Sequence, residues 1–339
     1  MISTDVALAG VAFVALALYF LFGGADFGGG VWDLLATGPR AARQRAAVER
    51  AIGPIWEANH VWLILVIVVL FSAFPRAFAA ISTALHVPLT LFLVGVVMRG
   101  AAFTFRGFPS TSAGAQRRFG AVFSAASTVS PVLLGMTVGA LVSGRLRVAA
   151  DGVVTGGFFA PWLTPFSFAL GFFALALCAF LAATYLTVEL EGVDEELCWD
   201  FRVRAFAAGV AVGVLALLAF LLSGEGAPLV RGALAGAWRW PFHVATGLAA
   251  LAALGALAAA KYRLARLAAG AQTVLILAGW AASQYPYLVV PDVTIASAAA
   301  NPTTRVLLLI ALAVGVPVLV PSLVVLFRVF KAERAEPHR

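Results

Sequence analysis

Asp26, Asp33, Glu57 and Arg99 lie inside long apolar runs, unlike the rest of the 16 acidic and 23 basic residues. A charge at the centre of a bilayer costs about 3 kcal/mol or more, so residues of this kind are functional candidates by default. Two carboxylates at one depth, one of them tuned by an arginine, have the chemistry of a proton relay. The competing reading is a structural ion pair between Arg99 and one acid. A buried pair often only balances its own desolvation, so its presence proves no stabilising role.

The surroundings of these residues are unusual. Asp26 sits in GGADFGGG, where five glycines fall in eight residues. Each glycine costs a helix up to about 1 kcal/mol. Such a run implies close backbone approach, either to a packed helix or as a broken helix around a ligand. Glu57 lies in IGPIWEANHVWL. Pro54 suits the first turn of a helix there, and Glu57 and His60, three apart, share a face. Trp56, Asn59 and His60 are the side chains expected around the acid. By helical rise His86 falls at a depth similar to His60, within about 5 Å. That makes a bis-His haem conceivable on His60 and His86, against the alternative of hydrogen-bonded buried histidines. With four histidines in all, His243 near one interface and His338 in the tail, multi-haem ligation by this chain is implausible, and no metal ligands are assigned.

Helices must carry these residues. The chain has 339 residues, 62% apolar and 12% charged. A soluble domain carries about 45–50% apolar and about 25% charged residues, so a soluble enzyme is excluded. Disorder is excluded too, since it requires low hydrophobicity and high charge. What remains is an all-α, polytopic membrane protein in a single integral domain over 1–339. A span needs about 20 apolar residues. Nine candidates meet that length, near 6–35, 52–74, 77–104, 118–143, 162–189, 203–223, 240–261, 266–288 and 304–330. Runs this long and continuous argue for helices rather than a barrel. The start, MISTDVALAGVAF, lacks a basic region and a small-residue cleavage site, and is read as a retained first span.

The net charge of +7 comes from basic residues between apolar runs, which suits a membrane surface and not nucleic acid. With the first loop (Arg40, Arg43, Arg45, Arg50) in the cytoplasm, that side collects 16 basic residues and the other collects 6. The bias predicts an external N-terminus and a cytoplasmic C-terminus, as nine crossings require. Asp26, Glu57 and Arg99 then fall in the cytoplasmic third of the membrane, Asp26 about 30 Å into span 1, Glu57 about 7 Å into span 2 and Arg99 about 33 Å along span 3. Asp33 is closer to the interface and carries less weight. Trp238, Trp240, Phe242, Tyr285 and Tyr287 fall at outer span ends, where an aromatic belt accounts for them. Cys178 lies in an apolar run and Cys198 in an acidic loop. Without a CxxC motif they suggest neither a disulfide framework nor a metal knuckle.

At these residues the chain resembles subunit II of the cytochrome bd-type quinol oxidases, including the cyanide-insensitive branch. The matching segments are GADFGGGVWDLL (24–35), IGPIWEANHVWLI (52–64), FPRAFA (74–79), MRGAAFTFR (98–106), TPF (164–166), GWAASQYPYL (279–288) and LFRVFK (326–331). They run in order over nearly the whole chain. The resemblance implies two four-helix bundles plus one extra helix, and a heterodimer with a larger subunit I. That partner would carry two haems b, one haem d and the quinol-oxidising loop, while subunit II ligates no haem. Quinol would be oxidised near the outer face and protons drawn from the cytoplasm, which makes the enzyme electrogenic. The family's acids in the span 1 glycine motif and the tryptophan-acid-x-Asn motif belong to that inner proton route. They correspond here to Asp26 and Glu57, and Arg99 matches the family's span 3 arginine. Glu57 stands where several members carry Asp, and His60 where many carry Gln.

The function expected is therefore that of an accessory subunit of a quinol:O2 oxidoreductase in the bacterial cytoplasmic membrane, supporting subunit I and delivering protons. The rival is a secondary transporter with a broken first helix, and a third reading is a structural partner whose acids are silent. The sequence leaves open ubiquinol against menaquinol, a structural quinone, and small accessory subunits.

Overall fold

The computed structural model describes residues 3–53, 56–108, 111–236 and 239–332. In chain order its helices are α1 (Thr4–Leu34), α2 (Ala41–Ile52), α3 (Trp56–Ala73), α4 (Pro75–Ala84), α5 (His86–Arg106), α6 (Ala113–Val142), α7 (Pro165–Leu190), α8 (Glu195–Gly226), α9 (Pro228–Ala235), α10 (Trp240–Ala258), α11 (Tyr262–Gln284), α12 (Ile295–Ala298) and α13 (Pro302–Ala332). Among the described residues nine helices are long and apolar enough to cross a membrane: α1, α3, α5, α6, α7, α8, α10, α11 and α13. Two short antiparallel hairpins, 147–155 and 287–294, lie at the end of the molecule opposite α2.

Local chemistry sets the starts of the spans. The Thr164 hydroxyl accepts from the Ser167 amide and Pro165 occupies the first turn of α7. Asp194 caps α8 by accepting from the Leu197 amide, with Glu195 and Glu196 in the first turn. Between the spans, α2 is held against the start of α8 by charge pairs. Arg40 grips Asp200 at 2.9 and 2.7 Å, and Arg43 reaches Asp194 and Glu196. Arg43 holds the Asp194 carboxyl below the ordinary carboxylate range by hydrogen bonding to its charged form.

The most enclosed span is α7, and the least enclosed is α13. Helix α7 lies among α1, α6, α8 and α11. Helices associate in lipid through close packing of small residues. A Cβ added at Gly28 would sit 1.9 Å from the Cys178 carbonyl oxygen on α7, and one at Gly30 would sit 2.2 Å from Ser127 Cβ on α6. The glycine run is a packing surface, and α1 passes through it unbroken. Of the two alternatives for the glycine run, close helix packing holds and the broken helix does not. Gly28→Ala must push α1 off a backbone carbonyl, and is expected to destabilise the protein by about 3 kcal/mol or more. Gly10→Ala, with no heavy atom within 4 Å of the new methyl, should be silent. Thermal unfolding midpoints of the two variants check this, and equal midpoints would show that α1 and α7 have room to spare.

Three expectations change. The single span expected at 77–104 is two helices, α4 and α5, parted at Leu85 (φ −114°, ψ 21°). Continuous hydropathy hides such a break, although Pro88 in the first turn of α5 marks a helix start. Residues 41–52, read as loop, are the charged surface helix α2. Cys198 is not in a loop but buried in the first turn of α8, its Sγ 3.5 Å from the Thr187 carbonyl. Pro54, Trp238 and His338 lie outside the described residues.

Candidate functional site

The buried polar groups gather where the α2 end of α1 meets α3, α5 and α6. Asp26, on the packed face of α1, is 4% exposed. Asn59, in the first turns of α3, donates from Nδ2 to Asp26 Oδ2 at 2.5 Å. A hydrogen bond of this kind satisfies a buried carboxylate and fixes its rotamer. Arg99 enters from α5 and is 1% exposed. Its Nε donates to Ser127 Oγ of α6 at 3.1 Å, and its guanidinium carbon lies 4.5 Å above the Phe27 ring. Asp26 and Arg99 are near enough to feel each other's charge, yet among the described residues they make no direct ion pair, and Arg99 Nη1 has no partner. The net effect is a buried acid balanced by a cation that does not lock it in place.

Glu57 is not part of this cluster. It is exposed on the outer side of the first turn of α3. The motif WEANH thus splits its groups around the helix, Asn59 reaching inward to Asp26 and Glu57 facing away from this chain. Trp56 packs edge-on to His60 at 6.2 Å and against Phe103 at 6.1 Å. Of the two acids that Arg99 could meet, Asp26 is the one beside it, and an Arg99–Glu57 pair is absent among the described residues.

His60 and His86 do not share a depth. His60 is in the second turn of α3, and its ring lies 6.0 Å from that of Tyr19. His86 starts α5 at the other end of the molecule, where its Nδ1 lies 2.9 Å from the Thr83 carbonyl oxygen and its ring packs against Phe158. The length of α3 beyond His60 separates them by about 20 Å. The depth estimate failed because α4 is a separate helix and α5 begins only at His86. The two residues do not fit a bis-His haem. Among the described residues no group of three His, Cys, Asp or Glu could hold a metal ion.

Sequence reasoning undervalued Asp33. It lies two turns beyond Asp26 on α1 and is 3% exposed. Arg106, at the end of α5, donates to Asp33 Oδ1 at 3.0 Å and to Glu49 of α2 at 2.8 Å. Ser124 donates to Asp33 Oδ2 at 2.6 Å. Arg45 donates to the carbonyls of Asp33 and Ala36, satisfying the end of α1. Polar groups therefore continue from the Glu49 surface through Arg106, Asp33 and Ser124 towards Ser127, Arg99 and Asp26. The signal available was the (i, i+7) spacing of Asp26 and Asp33, which puts both on one face of α1.

The family model described as cytochrome bd terminal oxidase subunit II matches residues 4–330. A putative cytochrome bd menaquinol oxidase subunit II from Bacillus subtilis is 22% identical over 98% of this chain and 97% of its own length. Cytochrome bd-I ubiquinol oxidase subunit 2 from Escherichia coli is 27% identical over 53% of this chain and 46% of its own. A chain of the bd oxidase from Geobacillus thermodenitrificans superposes with a TM-score of 0.80 at 20% identity, covering 97% of this chain and 99% of that one. That likeness establishes the shared fold.

Proposed function

The chain belongs to the cytochrome bd terminal oxidase subunit II family, and from that premise we propose that it braces a haem-bearing subunit I and carries protons towards it from the cytoplasm. It is an integral membrane subunit of a quinol oxidase, an oxidoreductase complex. In the proposed division of work, subunit I would hold two haems b and one haem d, and these would supply the electron transfer from quinol to oxygen. This chain binds, orients and passes protons. The membrane is the bacterial cytoplasmic membrane, with the α2 end inside.

The observation that carries the proposal is the buried Asp26, held by Asn59 and balanced by Arg99 without direct ion pairing, at the end of the bundle where the Asp33–Arg106 pair lies between it and the surface. A carboxylate so placed can accept and release a proton, because Arg99 and Asn59 favour its ionised form without a direct ion pair that would lock it there. Glu57, on an exposed face of a spanning helix, has no reason to face lipid. A partner subunit covering α3 would turn it into the point where protons leave this chain. The grouping of α1, α3, α5 and α6 beside α7, α8, α10 and α11, with α13 resting against α1 and α3, supports the two-bundle arrangement. Exposed apolar side chains on α3 and α5, such as Ile64, Phe71, Leu93 and Val97, support a packed partner there.

The test is turnover per haem in the assembled complex. Glu57→Gln keeps shape and hydrogen bonding but cannot titrate. It should lower turnover per haem by about tenfold while haem content and assembly persist, and Glu57→Asp should retain much of the activity. Wild-type turnover per haem in the Gln variant removes Glu57 from the route. Orientation has its own test. A reporter fused after Arg339 should be cytoplasmic, and a cysteine at exposed Ala42 should resist an impermeant reagent applied from outside. Labelling from outside would invert the assignment.

A further inference from the structure

The route just proposed has a gap, because Asp26 faces the interior and Glu57 faces out. We propose that His60 spans this gap as the relay between them, an inference that rests on the proton-route reading. On a helix at 100° per residue, Asn59 points to Asp26, and His60 lies on the arc between Asn59 and Glu57. It is one residue from the side chain that holds Asp26 and one turn from Glu57.

The chemistry of His60 fits this position. A histidine kept for structure is fixed by a hydrogen bond through at least one ring nitrogen. Here Nδ1 and Nε2 each have less than 1 Å² of accessible surface, and neither has a partner among the described residues. The ring is held by packing, between Tyr19 at 6.0 Å and Trp56 at 6.2 Å. Both nitrogens therefore keep their full valence for proton exchange. Tyr19 Oη, Asn59 Oδ1 and Arg99 Nη1 are likewise buried without partners. Tyr19 and Asn59 are each 1% exposed, so these atoms are walled off by this chain itself and not left open for the partner subunit. The result is a set of unmatched donors and acceptors on one side of Asp26, with an imidazole among them.

The step balances without a further reactant. The unprotonated ring nitrogen takes the proton released by Asp26 through one bridging water, giving a transient imidazolium. The other nitrogen then gives up its proton towards the Glu57 carboxylate. The ring is left in the opposite tautomer, and rotation or exchange with water resets it. Asp26, now ionised, is recharged from the Asp33 side.

The experiment uses the assembled oxidase with its haems, comparing His60→Leu and His60→Gln with wild type. Proton uptake from the cytoplasmic side is followed with a pH indicator dye after an oxygen pulse to the reduced enzyme, alongside turnover per haem. The relay predicts that both variants slow proton uptake about tenfold at unchanged haem content, since neither side chain titrates in this range. Gln at wild-type speed with Leu slow would mean that polarity alone suffices, which overturns the relay. Wild-type uptake in both variants also overturns it. Asp26→Asn and Glu57→Gln run in parallel separate the two levels. If they slow uptake and the His60 variants do not, the relay falls and the route stands. If none of the four slows uptake, the route itself falls.

Discussion

Asp26→Asn in the assembled oxidase is expected to reduce turnover per haem by at least about tenfold, the low end of what positioned proton transfer contributes. The substitution is nearly isosteric and can still meet Asn59 by a hydrogen bond. What it removes is the exchangeable proton and the charge. The second loss matters because Arg99, 1% exposed and packed over Phe27, would then be a buried cation with only Ser127 on its Nε. An uncompensated buried charge destabilises by about 3–5 kcal/mol, so a fall in activity alone is not diagnostic. Asp26→Asn with Arg99→Met removes both charges. If Asp26 serves only to balance Arg99, the double variant regains assembly, haem content and turnover per haem. If Asp26 carries protons, assembly and haem content return while turnover per haem stays low. Recovery of all three would remove Asp26 from the route.

Why the cluster was only partly legible in the sequence follows from what each residue's partner is. Asp26, Glu57 and Arg99 stood out because a charge in an apolar run is conspicuous whatever surrounds it. Hydropathy also revealed the nine spans found among the described residues, since length and apolarity are properties of each segment by itself. It could not reveal that Leu85 ends one helix and His86 starts another, because both sides of the break are apolar. Nor could it show which way WEANH turns. Glu57 and Asn59 differ by two residues, and whichever of them faces α1 depends on rotation of α3 set by packing. The structure gives that position to Asn59. Asp33 was undervalued for the same reason. Its partners Arg106 and Ser124 are 73 and 91 residues away, so nothing near Asp33 announces that it is buried.

The Asp33 group should act differently from Asp26, and its stability effects should be large and asymmetric. Arg106 is 10% exposed in its side chain and joins Asp33, 3% exposed, to the half-exposed Glu49. Arg106→Met leaves Asp33 with one hydroxyl for its two oxygens, in a place water does not reach. The expected loss is about 3–5 kcal/mol, that of a buried charge deprived of its partner. Asp33→Asn takes the charge from the buried side instead. Arg106 then keeps Glu49 nearer the surface, where solvent screens what remains, so the loss should be smaller. In the double variant no buried charge is stranded, and its unfolding midpoint should lie near that of Asp33→Asn, well above Arg106→Met. Additive midpoint losses would show that the two residues do not act as a pair. A carboxylate gripped by a guanidinium and a hydroxyl at 3.0 and 2.6 Å is poorly placed to surrender its ionised form. Asp33 is therefore expected to shape the local field and hold α1 to α5 and α6, with turnover per haem in Asp33→Asn staying within about twofold of wild type. Lower turnover per haem at full haem content would make Asp33 a station on the route and not its wall.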